Sequence, residues 1–163
     1  RPKCLICPIS KYCLGHKKND AEHYPIRKNR KIIPNYHIVV GIIWKDNKII
    51  ITKRKPNQLL GGLWELPGGK MKKNEFPEEC IKREIKEEIN INIEINNYLG
   101  QIKHRYSHFS IILNAYECNY NSGRIKAIEC TDVKLIKLDE LNKFAFPKAN
   151  HKIFSLLKKK YIN

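Results

Sequence analysis

Apolar and polar residues alternate or cluster along most of the chain in the manner of short strands. Residues 36–44 (YHIVVGIIW) form a continuous apolar run that predicts a buried strand. A turn is predicted at Asp46-Asn47, and residues 48–53 return as a second strand. Further strands are predicted at residues 98–103, 109–118 and 133–138, with a turn at residues 121–123.

Two segments have the period of an amphipathic helix instead. Ile81, Ile85 and Ile89 recur every four residues after Pro77, a residue that suits a first helical turn. Residues 149–160 carry apolar positions separated by lysines and predict a helix near the end of the chain. Strands mixed with a central and a terminal helix predict an α+β fold, an α/β/α sandwich.

The central helix also carries an unusual concentration of acid. Six of the chain's 16 acidic residues lie within residues 75–88, although the formal charge of the chain is +16. Glu84, Glu87 and Glu88 are spaced to share one helix face, and carboxylate oxygens are the ligands that Mg2+ takes. Gly68-Gly69 before the helix permits close backbone approach. The alternative is an ordinary solvated acidic face paired with lysines.

Residues 69–88 read G-x5-E-x7-R-E-x2-E-E, a pattern that resembles the Nudix box of hydrolases acting on nucleoside diphosphates linked to another moiety. The resemblance implies the Nudix fold, with a mixed sheet, the Nudix helix and a C-terminal helix. It implies Mg2+ or Mn2+ as cofactor, bound by the three glutamates and a carbonyl from Gly68 or Gly69. Glu84 would also be the catalytic base, and Arg83 and Glu75 would orient the glutamates.

One position departs from that box, because Asn90 stands where the family usually has glycine. Asparagine tolerates the left-handed conformation better than most residues do. We therefore expect the helix to end at Asn90 without loss of the motif.

Residues 145–150 (AFPKAN) resemble the F-P-x-A-N stretch of MutT, the Nudix enzyme that hydrolyses 8-oxo-dGTP. The resemblance implies that Asn150 contacts the oxidised guanine, and a side-chain amide offers the base both a donor and an acceptor. The alternative is that Asn150 is the N-cap of the last helix. The same resemblance makes Glu129 a further metal ligand, although a lone loop glutamate is usually just solvated.

The chain's charge and composition bear on its partners. The 32 Lys and Arg residues suggest a polyanionic partner, either nucleic acid or nucleotide phosphates, unless they reflect genomic bias toward lysine. No run of about 18 apolar residues predicts a membrane span, and we recognise no signal peptide. These features predict a cytoplasmic protein without a membrane partner. The first residue, Arg1, suggests a fragment of a longer chain.

Three cysteines lie close together in sequence at one end of the chain. Cys4, Cys7 and Cys13 are spaced C-x2-C-x5-C, which favours a metal or cluster site over disulfides. The spacing resembles the end of the 4Fe-4S loop of MutY-type adenine DNA glycosylases, whose first cysteine would precede Arg1. Residues 14–35 are similar to the interdomain connector of that family. The alternative is a zinc-binding or merely cysteine-rich terminus.

A short polar segment between two predicted strands is also similar to MutY. Tyr106-Ser107-His108 resembles the Phe-Ser-His loop with which that family recognises 8-oxoguanine in duplex DNA. An aromatic ring can stack on bases while the hydroxyl and imidazole reach base edges or phosphates. The alternative is an ordinary polar hairpin tip.

Two hypotheses of different classes follow. The first, which does not exclude the other, is a Nudix hydrolase of oxidised purine nucleotides within a MutY-like DNA repair protein, converting 8-oxo-dGTP to 8-oxo-dGMP and pyrophosphate. The second is a non-hydrolytic module that recognises 8-oxoguanine in DNA, as the C-terminal part of a MutY-type glycosylase acting in base excision repair. The predicted organisation is an incomplete cluster loop at 1–13, a connector at 14–35 and a Nudix domain at 36–163. The glycosylase's own catalytic residues are not in this sequence.

Overall fold

The computed structural model describes residues 2–24, 26 and 33–161. The chain divides into two compact units, one comprising Arg1–Ile32 and the other Ile33–Asn163. Much of the second half of the predicted connector, residues 25 and 27–32, lies outside the described residues.

The larger unit is built on a seven-stranded mixed sheet with the central order β3-β2-β1-β6-β5. The long strand β1 pairs in parallel with β6 and antiparallel with β2 and β4. The strand β7 extends the sheet by pairing with β2. The strands are β1 (Asn35–Lys45), β2 (Lys48–Lys53), β3 (Trp64–Glu65), β4 (Gly68–Lys70), β5 (Ile91–Arg105), β6 (Ser110–Gly123) and β7 (Asp132–Ile136).

A helix covers each face of this sheet. In chain order the α-helices are α1 (Leu14–Lys17), α2 (Pro77–Ile89) and α3 (Lys148–Tyr161). The apolar stripe of α2, including Ile81 and Ile85, packs with Val39 of β1 on one face. Ile153 and Leu157 of α3 pack with Val40 on the other face. The predicted α+β sandwich with a Nudix helix and a C-terminal helix is therefore confirmed.

The longest hairpin differs from its prediction. The strand β5 begins directly after α2, seven residues before the predicted start, and β6 extends through the predicted turn at residues 121–123. The pairing of β5 with β6 shifts register at three places, between Asn92 and Ile93, between Ile95 and Asn97, and between Tyr98 and Gly100. Such bulges interrupt the two-residue alternation, so the pattern of apolar residues underestimates both strands.

Within residues 2–24 and 26, the smaller unit contains α1 and short 3-10 turns at Cys4–Ile6, Ser10–Tyr12 and Ala21–His23. Its large apolar side chains, among them Leu5, Ile9 and Leu14, are exposed. In the part of the chain that the structure describes, no helix is long and apolar enough to cross a membrane.

Candidate active site

The sequence of α2 fixes which of its faces meets the sheet. Pro77 occupies the first turn, where its missing N–H costs nothing, and the Phe76 N–H donates to the Glu79 carboxylate at 3.2 Å. Asn90 ends the helix at φ 57°, as predicted for an asparagine in place of glycine. Because the isoleucine stripe of α2 is buried against the sheet, Glu84 and Glu88 are directed toward β4.

Arg83 is the hub of the acidic cluster. Its Nε donates to Glu75 Oε1 at 2.6 Å, and its Nη2 donates to Glu75 Oε2 at 2.9 Å. Its Nη1 donates to Glu84 Oε1 at 2.7 Å and to Glu87 Oε2 at 2.9 Å. One guanidinium therefore holds three carboxylates, a geometry that a single lysine ammonium does not reproduce.

The hydrogen bonds between Arg83 and Glu75 stabilise the charged form of both side chains. They lower the pKa of Glu75 to about 2, assisted by the backbone N–H of Lys72. The Glu75 carboxylate in turn raises the pKa of Arg83 above its ordinary value. Both groups remain ionised over the whole physiological pH range, so the orientation of Glu84 does not depend on pH through this pair.

A cavity of about 300 Å³ opens beside the helix and is lined by Glu84 and Glu88. Gly68 and Gly69 of β4 form its adjoining wall, held against β1 by pairing with Val40 and Val39. A Cβ at Gly69 would lie 2.0 Å from Glu84 Oε2, so only glycine leaves that carboxylate in place. Gly68 has φ 145°, and a Cβ there would meet the Val39 carbonyl oxygen at 2.2 Å.

Glu88 is the most buried of the helix carboxylates, at 8% exposure. It accepts a hydrogen bond from the Gly68 N–H at 3.1 Å. Burial, followed by the nearby Glu65 carboxylate, raises the pKa of Glu88 to about 7. A buried carboxylate surrounded by other carboxylates is a place where a bound cation relieves charge repulsion.

The predicted three-glutamate metal cluster is only partly assembled. Among residues 2–24, 26 and 33–161, no group of three or more His, Cys, Asp or Glu side chains is arranged to hold a metal ion. Glu84 and Glu88 border the cavity, but Glu87 is drawn to Arg83 and does not line it. Glu129 also lines the cavity, and its backbone N–H donates to the Glu88 carbonyl at 3.3 Å.

The residues present nevertheless fit a divalent cation. Glu84 Oε2, the Glu88 carboxylate, the Gly68 carbonyl and Glu129 offer only oxygen donors, which suits Mg2+ or Mn2+ rather than a soft metal. Burial of Glu88 raises its pKa, and a bound cation would favour the ionised carboxylate.

An ion pair that the sequence analysis missed also lines the cavity. Arg54 Nη1 contacts Glu65 Oε2 at 2.6 Å, and Arg54 Nε donates to the Leu59 carbonyl at 2.8 Å. Burial raises the pKa of Glu65, while Arg54 acts in the opposite direction. A signal was available, because Glu65 is a lone acid between the apolar residues Trp64 and Leu66.

Asn150 also lines this cavity and is 5% exposed. Its Nδ2 has no hydrogen-bond partner, although the atom is buried. Because α3 begins at Lys148, Asn150 lies within the first turn, and the alternative role as N-cap is wrong. A buried amide without a partner beside a cavity is suited to a polar ligand.

The three residues of the predicted lesion-recognition segment differ in their exposure. Tyr106 is half-buried and lines the same cavity as Asn150, whereas Ser107 and His108 are exposed. Tyr106 N–H donates to the Phe109 carbonyl at 2.8 Å, so Ser107-His108 forms the tip of a tight hairpin between β5 and β6.

The cysteines fall into the two predicted sets. Cys4, Cys7 and Cys13 line one cavity of about 510 Å³ in the smaller unit, and all three are free thiols. Cys80, Cys118 and Cys130 are buried in the larger unit, where burial raises the pKa of each thiol. The second set therefore consists of core residues with little thiolate character.

Comparison with known proteins points to one family. The NUDIX domain model matches residues 39–156. An 8-oxo-dGTP diphosphatase of Buchnera aphidicola subsp. Schizaphis graminum is 40% identical over 123 residues, which cover 76% of this chain and 93% of that protein. The crystal structure of a MutT protein from Methanosarcina mazei superposes with a TM-score of 0.73 at 21% identity, covering 81% of this chain and 99% of that one.

A second kind of relative matches less of its own length. An adenine DNA glycosylase of Buchnera aphidicola subsp. Acyrthosiphon pisum is 29% identical over 114 residues. These residues represent 70% of this chain but 31% of the glycosylase.

Proposed function

Because the chain belongs to the NUDIX domain family and is a Nudix hydrolase, we propose that it converts 8-oxo-dGTP to 8-oxo-dGMP and pyrophosphate. One observation carries the proposal. A single cavity is lined both by the carboxylates of Glu84 and Glu88 and by Asn150, whose amide nitrogen has no partner among the described residues. That arrangement suits a ligand with a phosphate chain and a polar base. The 40% identical diphosphatase supports the same substrate.

The chemistry assigned to the carboxylates of α2 is hydrolysis of the phosphate chain. Glu84, Glu87 and Glu88 would hold Mg2+ together with the Gly68 carbonyl and Glu129, with Glu87 leaving Arg83 to do so. The bound cation would neutralise the negative charge that develops on the phosphate oxygens. Glu84 takes the proton from the attacking water, because it borders the cavity and is held in place by Arg83 and Gly69. Glu75 fixes Arg83 from the other side.

The selectivity for the oxidised base is assigned to Asn150. Guanine presents two acceptors, N7 and O6, on the edge that an amide can read. Oxidation at C8 places a hydrogen on N7, so this edge becomes one donor and one acceptor. An amide provides the matching acceptor and donor, whereas normal guanine would place its N7 lone pair against the amide oxygen.

This proposal is tested by steady-state turnover of 8-oxo-dGTP, dGTP, CTP and ADP-ribose with Mg2+. The wild type is expected to have its highest kcat/KM on 8-oxo-dGTP. Asn150→Ala is expected to lower the ratio of kcat/KM for 8-oxo-dGTP over dGTP by about 30-fold, since one bidentate contact is lost. Asn121→Ala, an exposed asparagine at the end of β6, is the matched control. If Asn150→Ala left the ratio of kcat/KM for 8-oxo-dGTP over dGTP unchanged, Asn150 would have no role in base selection.

A second candidate function is recognition of 8-oxoguanine in duplex DNA within a MutY-type repair protein. The observation in its favour is that Cys4, Cys7 and Cys13 line one cavity of the smaller unit, although the described residues do not arrange these thiols as a metal-binding group. The glycosylase relative supports it further. On this proposal residues 1–13 end the cluster loop, 14–35 are the connector and 36–163 are the Nudix domain. The segment Tyr106-Ser107-His108 would then contact the lesion.

The DNA candidate predicts a difference in affinity between two duplexes. The chain is expected to bind duplex containing 8-oxoguanine opposite adenine about tenfold more tightly than undamaged duplex of the same sequence. His108→Ala should reduce that difference to less than threefold, while His37→Ala on β1 should retain it. Fluorescence anisotropy at one fixed salt concentration is the measurement, because phosphate contacts alone give salt-dependent binding. Equal affinity of the wild type for both duplexes would count against the DNA candidate.

A further inference from the structure

The solvent-facing side of α3 carries positive charge without a neighbouring acid in sequence. Lys148, Lys152 and Lys159 are exposed, and their spacing is close to one and two helical turns, so they lie on one side of the helix. We call these three lysines the basic face of α3. Residues 141–161 contain no aspartate or glutamate, so no carboxylate of the helix itself interrupts this face.

The stability of α3 does not explain these lysines. Cations are favourable in the last turn of a helix and unfavourable in the first, where the helix dipole is positive. Lys148 nevertheless begins α3, and its first turn contains no acidic residue. A general bias of the chain toward lysine does not explain the pattern either, because α2 intersperses its lysines with glutamates and α3 has none.

Most of the charge on the basic face is not balanced by a carboxylate. Lys160, on another side of α3, contacts the buried Glu117 carboxylate. The Lys152 ammonium instead donates to the Lys103 carbonyl of β5 at 3.2 Å, which is a neutral acceptor. Lys148, Lys152 and Lys159 form no ion pair with another residue that the structure describes. Exposed cations without such partners are available to an anionic molecule.

We infer that the basic face of α3 binds the phosphate backbone of duplex DNA, independently of base sequence and of any lesion. The three lysines span about 16 Å of the helix, while B-DNA carries one phosphate per about 1.7 Å of its axis. One duplex therefore offers a phosphate to each lysine. This surface is separate from the segment Tyr106-Ser107-His108, and its binding of DNA does not require hydrolysis of 8-oxo-dGTP.

The side chains of α3 favour a duplex over other polyanions. A helix that lies on a membrane inserts its apolar side into the lipid, but Ile153 and Leu157 are buried against the sheet. Single strands are held by exposed aromatic rings on which their bases stack. Phe154, the one Phe, Tyr or Trp between Lys148 and Lys159, is buried. A duplex keeps its bases stacked inside and presents phosphates, for which a row of cations suffices.

The inference is tested by combining Lys148→Gln, Lys152→Gln and Lys159→Gln in the whole chain. This α3 variant is expected to bind undamaged duplex about 30-fold more weakly than the wild type at low salt. The slope of log Kd against log salt concentration should fall by about 3, since each lysine contact with a phosphate releases about one counterion. Fluorescence anisotropy over a salt series measures both quantities.

The matched control combines Lys48→Gln, Lys82→Gln and Lys86→Gln, three exposed lysines on β2 and α2. The control variant has the same net charge as the α3 variant, and its affinity for duplex should stay within about threefold of the wild type, because distant charges are screened. Equal weakening in the two variants would show that net charge alone governs binding and would overturn the inference. An unchanged affinity in the α3 variant would also overturn it.

Further outcomes separate this surface from the two proposed functions. The α3 variant should lose the same factor of affinity for damaged and undamaged duplex, whereas His108→Ala changes only their ratio. A wild type that binds neither duplex would overturn this inference and the DNA candidate, while hydrolysis is read independently from product formation. Tighter binding of the wild type to phosphatidylserine vesicles than to duplex would contradict the choice of DNA.

Thermal melting checks that the α3 variant is folded. If its melting temperature falls, the three single substitutions replace it, and each should lower the salt slope by about 1. An unchanged slope in all three single variants would overturn the inference.

Discussion

Replacing Glu84 by glutamine is expected to lower kcat on 8-oxo-dGTP by about 1,000-fold. Glutamine retains the shape of the side chain and a contact with Arg83, but it carries no charge for a cation and accepts no proton from water. Glu84 Oε2 occupies the space that a Cβ at Gly69 would need, so the glycine leaves this side chain in place. Pyrophosphate release at saturating substrate and Mg2+ is the measurement.

The control for this prediction is Glu94→Gln. Glu94 is exposed on β5, so this substitution removes the same charge at a position away from the cavity. It should retain at least half of the wild-type kcat. The assignment of Glu84 as base and metal ligand would be untenable if Glu84→Gln and Glu94→Gln had the same kcat. Thermal melting should show that Glu84→Gln remains folded, since its ion pair is partly exposed.

Replacing Arg83 by alanine is expected to lower kcat/KM by about 100-fold, the second-largest effect on activity. The guanidinium holds Glu75, Glu84 and Glu87 at once, and without it the carboxylates repel one another and leave their present positions. The variant should also need a higher Mg2+ concentration for half-maximal rate, because Glu84 is no longer aligned. Initial rates over a Mg2+ series measure both effects.

Arg83→Lys is the informative companion of Arg83→Ala. A lysine restores one positive charge but lacks the planar fork that contacts three carboxylates in fixed directions. We expect its kcat/KM to lie between those of wild type and Arg83→Ala. Full activity in Arg83→Lys would indicate that only net charge matters and would contradict an orienting role for Arg83.

The features that the sequence predicts best are local ones. The α2 helix, its Pro77 start, its Asn90 end and its buried isoleucine stripe all follow from spacing within one segment. The positions of Glu84 and Glu88 follow as well, because a helix whose apolar face is fixed has no freedom to place its acidic face elsewhere.

The features that the sequence did not reveal depend on contacts between distant segments. Arg54, which follows β2, forms an ion pair with Glu65 of β3, and no pattern in either segment identifies the partner. Tyr106 faces the cavity because a two-residue hairpin tip and stacking on Phe109 orient it, which no spacing rule encodes. The helical period predicts that Glu87 shares a face of α2 with Glu84 and Glu88. Whether the Glu87 carboxylate contacts Arg83 or a cation depends on tertiary geometry, which the period does not give.

The two helices contribute different chemistry to one cavity. The α2 side supplies carboxylates and the glycine wall of β4, while the α3 side supplies Asn150, and Tyr106 lines the same cavity. Variants on the α2 side are therefore expected to change kcat for every nucleotide, and variants on the α3 side to change the preference among bases. This separation lets hydrolysis and base recognition be tested independently in the same protein.

The central claim is that acidic side chains from α2, with a divalent cation, cleave the phosphate chain of an oxidised purine nucleotide. The most direct measurement is incubation of the wild type with 8-oxo-dGTP, with Mg2+ and in parallel with excess chelator, followed by separation of all phosphorus-containing products. The account predicts equal amounts of 8-oxo-dGMP and pyrophosphate with Mg2+ and no products with chelator. Intact 8-oxo-dGTP in both reactions, or identical cleavage in both, would contradict it.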